Sequence, residues 1–391
     1  MNREIDCGYV PLLDAAPLLI AAQIGFAAEE GLKLTLHREL SWASIRDKLI
    51  WGRYQAAHML APVVVAQGAG LGVGDAPLDA LMLLSVNGEM IGARPGIAAA
   101  MSAAAGGVAP DFLDAGAVGR AFFAAVEGQI RIGVPFPFSI HADLVRYWAD
   151  SLGVGGRVTL ATVPPPQMAA AMAAGEIDAF AVGEPWGSVS VERGVGELIL
   201  PGAAIWQFAP DKVLAMPRRV VETAPDLVAP LMRAVWRAAA WVADPANAST
   251  TAEILGRPDR LDVAPEMLER ALGGRLVVDG AGRERQVPRC IEFFAGAASF
   301  PWRSQGVWIA DSLARRTGAD RTRLRAAARA AFRTDLYRDV LGPAGADLPG
   351  ASEKLEGAMA TRTAVASTLG RLVLGPDRFF DGRIFDPSAS D

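Results

Sequence analysis

The chain has 391 residues, 51% hydrophobic and 21% charged, with a formal net charge of −5. That length suits two domains with a full core each, and the composition excludes a disordered chain. The acidic balance lacks the basic footprint that direct binding to DNA or RNA requires.

The first ten residues, MNREIDCGYV, carry acidic side chains where a signal peptide would carry its apolar stretch. Arg3, Glu4 and Asp6 also argue against lipid attachment at Cys7. No later run resembles the roughly 20 uninterrupted apolar residues of a membrane span. The expected location is therefore the cytoplasm, with no membrane contact. Cys7 and Cys290 have no ligand partners at metal spacing, and they neither require nor exclude a disulfide.

Residues 8–13 read as a strand, 16–30 as a helix ending at Gly31, and 32–37 as the next strand. Ser41 is placed as an N-cap for a short helix opening at Trp42, and residues 54–60 begin another strand-to-helix step. This βαβ rhythm belongs to an α/β domain. The stretch 94–118 is rich in Ala and Gly, so its helix signals are weak. From Ile130 the pattern sharpens into a strand over 130–135, a helix over 141–152 and a strand over 158–163, which stops at Pro164-Pro165-Pro166. A helix over 167–174 closed by Gly175 and a buried strand over 177–182 follow. A strand at 212–216 precedes long helices from Ala224 onward, and residues 253–338 read as mostly helical. The predicted organisation is a first lobe over 1–90, a second over 91–212, a largely helical return to the first over 213–340, and a C-terminal extension over 341–391. That extension contains Phe379-Phe380 and is too apolar for a free tail, so it is expected to pack on the body or on a partner.

Several motifs point away from catalysis. The run Gly68-Ala69-Gly70-Leu71-Gly72-Val73-Gly74 has neither the GxGxxG spacing nor the Lys-Ser/Thr of a P-loop, and reads as a flexible loop. His37, His58 and His141 are scattered, without HxxxH or HExxH spacing for a metal. No GxSxG nucleophile elbow is present. Neither an enzyme activity nor a cofactor is expected.

The informative stretch is residues 130–216. It holds Phe136-Pro137-Phe138-Ser139-Ile140-His141, then Val163-Pro164-Pro165-Pro166-Gln167-Met168, then Gly175-Glu176-Ile177-Asp178-Ala179-Phe180-Ala181-Val182-Gly183-Glu184-Pro185-Trp186, and Asp211-Lys212. In this order the motifs resemble the nitrate and bicarbonate substrate-binding proteins of bacterial ABC transporters. Supporting matches are Asp14-Ala15-Ala16-Pro17-Leu18, Ser41-Trp42 and Ala57-His58-Met59-Leu60-Ala61-Pro62. The resemblance, over residues 5–335, implies a two-lobed periplasmic-binding-protein type II fold with a ligand cleft between the lobes. It also implies that Trp42, His141, Gly183, Lys212 and the position of Glu89 contact the ligand.

Nitrate is a flat monoanion with acceptors only, so its site needs N–H donors and positive charge without competing acceptors. Trp42 offers an indole N–H, Gly183 a close backbone approach, and His141 and Lys212 donors and charge. Each residue has a plainer reading: Trp42 as core, His141 as a helix-cap or core histidine, Lys212 as a solvated surface lysine. In the resemblance, a lysine at position 212 marks nitrate binders and an acidic residue marks bicarbonate relatives. Glu89 departs from the amide expected there, and a shift of two would put Asn87 in the site instead.

Because no export signal is read, the chain most resembles the cytoplasmic nitrate/nitrite sensor that holds an ANTAR-type RNA-binding antiterminator and releases it on ligand binding. The alternative is the extracytoplasmic nitrate or bicarbonate binding subunit of an ABC importer.

Overall fold

The structure, a computed structural model, describes residues 3–389. Eleven strands define it: β1 (Arg3–Tyr9), β2 (Leu32–Arg38), β3 (Ala56–Leu60), β4 (Leu78–Leu83), β5 (Val86–Asn87), β6 (Glu89–Ala93), β7 (Ile130–Val134), β8 (Val158–Thr162), β9 (Ala179–Gly183), β10 (Glu197–Pro201) and β11 (Lys212–Pro217). Ten of them form two five-stranded mixed sheets, ordered β2-β1-β3-β11-β4 and β10-β6-β9-β7-β8, and β5 lies outside both. This is the two-lobed α/β architecture expected.

Burial explains which segments became central strands. The central strands β3, β6, β9 and β11 are buried at every position, as sheets covered by helices on both faces require, and so is the edge strand β4. The outer strands β2 and β8 alternate or stay half-exposed. In each sheet one strand arrives from the other lobe and runs antiparallel: β11 between β3 and β4, and β6 between β10 and β9. The chain crosses between the sheets through residues 84–88 and again through 202–211.

Several boundaries differ from those read in the sequence. The first strand runs from Arg3 to Tyr9, not over 8–13, because it pairs in parallel with β2 from Arg3↔Leu32 to Tyr9↔Arg38. Beyond it Pro11 has no N–H to continue a ladder, and residues 13–15 form a 3₁₀ turn. The helix expected over 16–30 is two, Ala16–Gln23 and Phe26–Glu29, parted where Gly25 takes φ +99°. The stretch 94–118 carries the helix Pro95–Ala104 and the start of Ala115–Ala124. Three short strands at Arg275–Val277, Glu284–Gln286 and Ile291–Glu292 interrupt the region read as helical; the last pairs with β5. The glycine run after Gln67 is a folded turn, because the Gln67 amide bonds Val73 N, Val73 O and Gly74 O.

The C-terminal segment lies on its own chain. Phe379 stacks against Trp206 at 4.7 Å and Trp308 at 6.0 Å between ring centres. The Lys354 ammonium sits 2.5 Å from both Glu356 and Asp377, and Ser304 Oγ donates to Glu356 at 2.6 Å. Tyr147, on the helix Ile140–Ser151 after β7, donates to Asp381 at 2.9 Å, so the extension also reaches the second lobe. Cys7 and Cys290 are both free and buried.

Candidate functional site

The carboxyl ends of parallel strands, where helices begin, are the usual ligand edge of an open α/β sheet. Here those edges of the two sheets face each other. From the first lobe come Asp14 in the turn after β1, Trp42 at the start of the helix Trp42–Ile50, and His58 in β3. Lys212 and its neighbour Asp211 stand where the chain returns into β11. From the second lobe come His141 at the start of the helix Ile140–Ser151, Gly183 at the end of β9, and Glu89 at the start of β6, directly opposite Gly183 in register.

Both helices open on a serine. Ser41 Oγ accepts from Ser44 N and Ser139 Oγ from Ala142 N, each at 3.2 Å, which fixes where each helix starts and so where Trp42 and His141 project. Helix starts from both lobes thus bring partial positive charge to one place. Two hydrogen bonds tie the lobes beside it: Leu13 N donates to Glu184 O at 2.8 Å, and the Trp186 indole Nε1 to Pro11 O at 2.7 Å. The lobes are closed, with Trp42, His58, His141 and Lys212 each at most 1% exposed.

Within this closed interface the polar groups form one connected cluster. The Lys212 ammonium is 2.8 Å from Asp14 Oδ2 and also bonds Asp211. Its nitrogen lies 5.5 Å from the centre of the Trp42 ring. His58 Nε2 is 2.8 Å from Asp14 Oδ1, off the hydrogen-bond axis, and its ring lies 5.2 Å from that of Trp42. His141 Nδ1 is 3.9 Å from Asp211 Oδ1. A methyl group on Gly183 would fall 3.1 Å from Leu12 Cδ2, 3.5 Å from Asp14 and 3.8 Å from His141, so the missing side chain lets the lobes meet closely here. Glu89 fills the space over Gly202, where a Cβ would fall 2.3 Å from the carboxylate.

Burial sets the charges. It pushes Glu89 up, with Asp211 adding to the push, to about 8. It pushes Asp211 up to about 7 against the pull of Lys212. Burial also works against ionised Asp14, yet Lys212 and His58 outweigh it and hold that carboxyl at about 2. Lys212 stays charged, because the two aspartates outweigh its desolvation. His141 falls well below the usual histidine range through burial and then through Lys212, and His58 is lowered by burial against Asp14.

Near neutral pH the interior therefore holds the Lys212–Asp14 pair, two neutral histidines and a mostly protonated Glu89. The Trp42 indole nitrogen, both ring nitrogens of His58 and of His141, and both Glu89 oxygens are buried without a protein partner. Buried polar groups in this state cost free energy until something bonds to them. The arrangement can surround a small oxyanion with neutral donors and one ammonium.

All five residues expected from the resemblance are thus brought together. Two expectations about them need correcting. Lys212 is fully buried, not solvated, and its charge is already matched by Asp14, so it is not a free positive charge. His141 is neutral and offers a donor without charge. Besides Glu89, whose carboxyl was expected there, the site also contains Asp14 and Asp211, which the sequence reading did not place in it. Asn87 is occupied elsewhere: its Nδ2 donates to Gln207 O and Arg289 O, and its Oδ1 accepts from Ala209 N.

Asp14 and His58 stand in the quoted motifs, yet sequence reasoning gave them no site role. The available signal was a single carboxylate in the apolar run 9–21 and a histidine in an otherwise apolar strand, since charges are seldom buried without a partner. Glu184 holds its turn by accepting from Ser188 N at 3.3 Å, and its other oxygen is buried and unpartnered.

The comparisons with known proteins agree with this geometry. The chain is 27% identical over 406 residues to the nitrate/nitrite binding protein NrtA of a Nostoc species, covering 99% of this chain and 83% of that one. It is 31% identical over 325 residues to the nitrate import ATP-binding protein NrtC of a Synechocystis species, where it spans 80% of its own length but only 46% of NrtC. The crystal structure of the periplasmic nitrate-binding protein NrtA from Synechocystis superposes with a TM-score of 0.83 at 24% identity, over 98% of this chain and 95% of that one. At that identity the likeness establishes the periplasmic-binding-protein fold. Residues 2–256 match the NMT1-like family, a match over well more than half of the chain, and the protein belongs to that family.

Proposed function

We propose that this protein closes its two lobes on nitrate or nitrite and serves as the binding component of an anion importer. The observation that carries the reading is the set of buried, unpartnered donors on Trp42, His58 and His141, gathered around Lys212 from both lobes. Binding in a lobe interface couples ligand to closure, since the anion bonds groups that only the closed form assembles. The names of the NrtA and NrtC relatives support import.

Calorimetry with nitrate, nitrite and bicarbonate on the purified chain tests it. Heat from nitrate or nitrite supports the reading, and heat from bicarbonate alone would replace it. Bicarbonate is the second candidate for a specific reason: unlike nitrate it has an O–H to donate, and ionised Glu89 would accept it.

The narrower expectation, a cytoplasmic sensor that releases an ANTAR-type antiterminator, rests on the resemblance alone and stands second to import. Size-exclusion chromatography of the co-expressed pair would raise it to first place if a complex forms and nitrate or nitrite dissociates it.

A further inference from the structure

Away from the cleft, a pocket of about 440 Å³ opens along the seam between the lobes. One wall is the helix Ile140–Ser151, which presents Asp143, Arg146, Tyr147 and Asp150 at i, i+3, i+4 and i+7, a single face. The opposite wall is the first-lobe helix Arg303–Thr317, with Ser312, Arg315 and Arg316, and the C-terminal segment closes the end with Arg383. Four guanidinium groups thus face two carboxylates.

The arginines are under-used. Arg146 and Arg315 enter no ion pair or hydrogen bond among the described residues, and Arg146 Nε is shut from solvent without an acceptor. Arg316 donates from Nη1 to Pro137 O and lies 3.3 Å from Asp143, yet its Nε and Nη2 are buried with no aligned acceptor. Arg383 is drawn to Asp381 at 3.3 Å. Asp143 is engaged through one oxygen with Ser312 at 2.7 Å, and its second oxygen is buried and unpartnered. Guanidinium N–H groups form the planar fork that carboxylates and phosphates fit, and leaving them dry and unpaired is costly.

We propose that this seam pocket is a second ligand site, which binds a small multivalent oxyanion, a di- or tricarboxylate or a phosphate compound, through Arg146, Arg315 and Arg316. A nitrate-sized ion cannot span both walls of a pocket this large. A multivalent one can bond the second-lobe arginine and the first-lobe pair together.

The test uses the full chain with citrate and inorganic pyrophosphate as probes, at constant ionic strength with chloride as the control. One or both probes should raise the thermal midpoint and give saturable heat. Citrate alone would identify a carboxylate ligand, pyrophosphate alone a phosphate one, and both a site for either. The double substitution Arg146→Gln/Arg315→Gln should weaken probe binding by at least about tenfold, since each loses a charge-assisted bond. Neither arginine is hydrogen-bonded or ion-paired among the described residues, but both act through space on buried Asp143, so the variant's probe affinity is measured well below its own ligand-free midpoint. No response beyond chloride at about 10 mM probe, an affinity too weak to matter, or equal binding by the variant, would overturn the proposal. Nitrate titrated alone reports on the cleft, so a failure there is distinguishable from a failure here.

Discussion

Glu89 gives the most direct test of the cleft chemistry. Its carboxyl is pushed up to about 8 by burial and by Asp211, so below that pH it is an O–H donor and above it a carboxylate. A carboxylate and a bound anion about 6 Å apart, at an effective dielectric constant near 20, repel by about 3 kcal/mol, close to a hundredfold in affinity. Nitrate therefore binds the protonated form, and its affinity is full at low pH and falls as pH rises through the Glu89 value. Between pH 6 and pH 9 this one group should weaken nitrate binding about tenfold. Asp211, pushed up to about 7, adds a second phase that begins at lower pH. Glu89→Gln keeps a donor at every pH, so it should remove the upper phase and leave the lower one. Calorimetric titrations at several pH values, in buffers of different ionisation enthalpy, report both the affinity and the protons taken up. Equal pH profiles for the parent and Glu89→Gln would refute the argument, and with it the placement of Glu89 against the ligand.

The same shift predicts a stability effect with its own sign. A carboxyl whose folded value is raised from 4.5 to about 8 makes the fold less stable as pH rises across that interval, so Glu89→Gln should raise the thermal midpoint at pH 8 and change it little at pH 4. Lys212→Met should weaken anion binding and also destabilise the protein by about 3–5 kcal/mol, because Asp14 and Asp211 lose their counter-charge in a dry interior. Adding Asp14→Asn to it should recover part of the stability, as urea unfolding would show, but not the binding. Gly183→Ala should reduce nitrate affinity about tenfold or more, as calorimetry would show, since the methyl presses on Leu12 and fills the space beside Asp14 and His141 in the closed form. Phe379→Ala should cost about 3–5 kcal/mol in the same unfolding assay, because the ring is buried between Trp206 and Trp308.

The sequence alone determined the α/β class, the order of most strands and helices, and the serine cap that starts the helix of Trp42. These are local properties: apolar periodicity, a side-chain oxygen before a helix, glycine or proline where a segment must stop. The Ser139 cap before His141 emerged only in the structure. The five candidate site residues came from the resemblance to a known family, not from composition or spacing. The tertiary structure decided what those residues are chemically. Whether Lys212 is a free cation or half of a buried pair depends on Asp14, distant in the chain, arriving at 2.8 Å. Whether Glu89 is charged depends on its desolvation and on Asp211, which the chain delivers only by crossing back into the first sheet. Asp14 and His58 joined the site for the same reason, since burial and long-range Coulomb interaction are properties of the packed lobes, and a linear pattern of residue types carries neither.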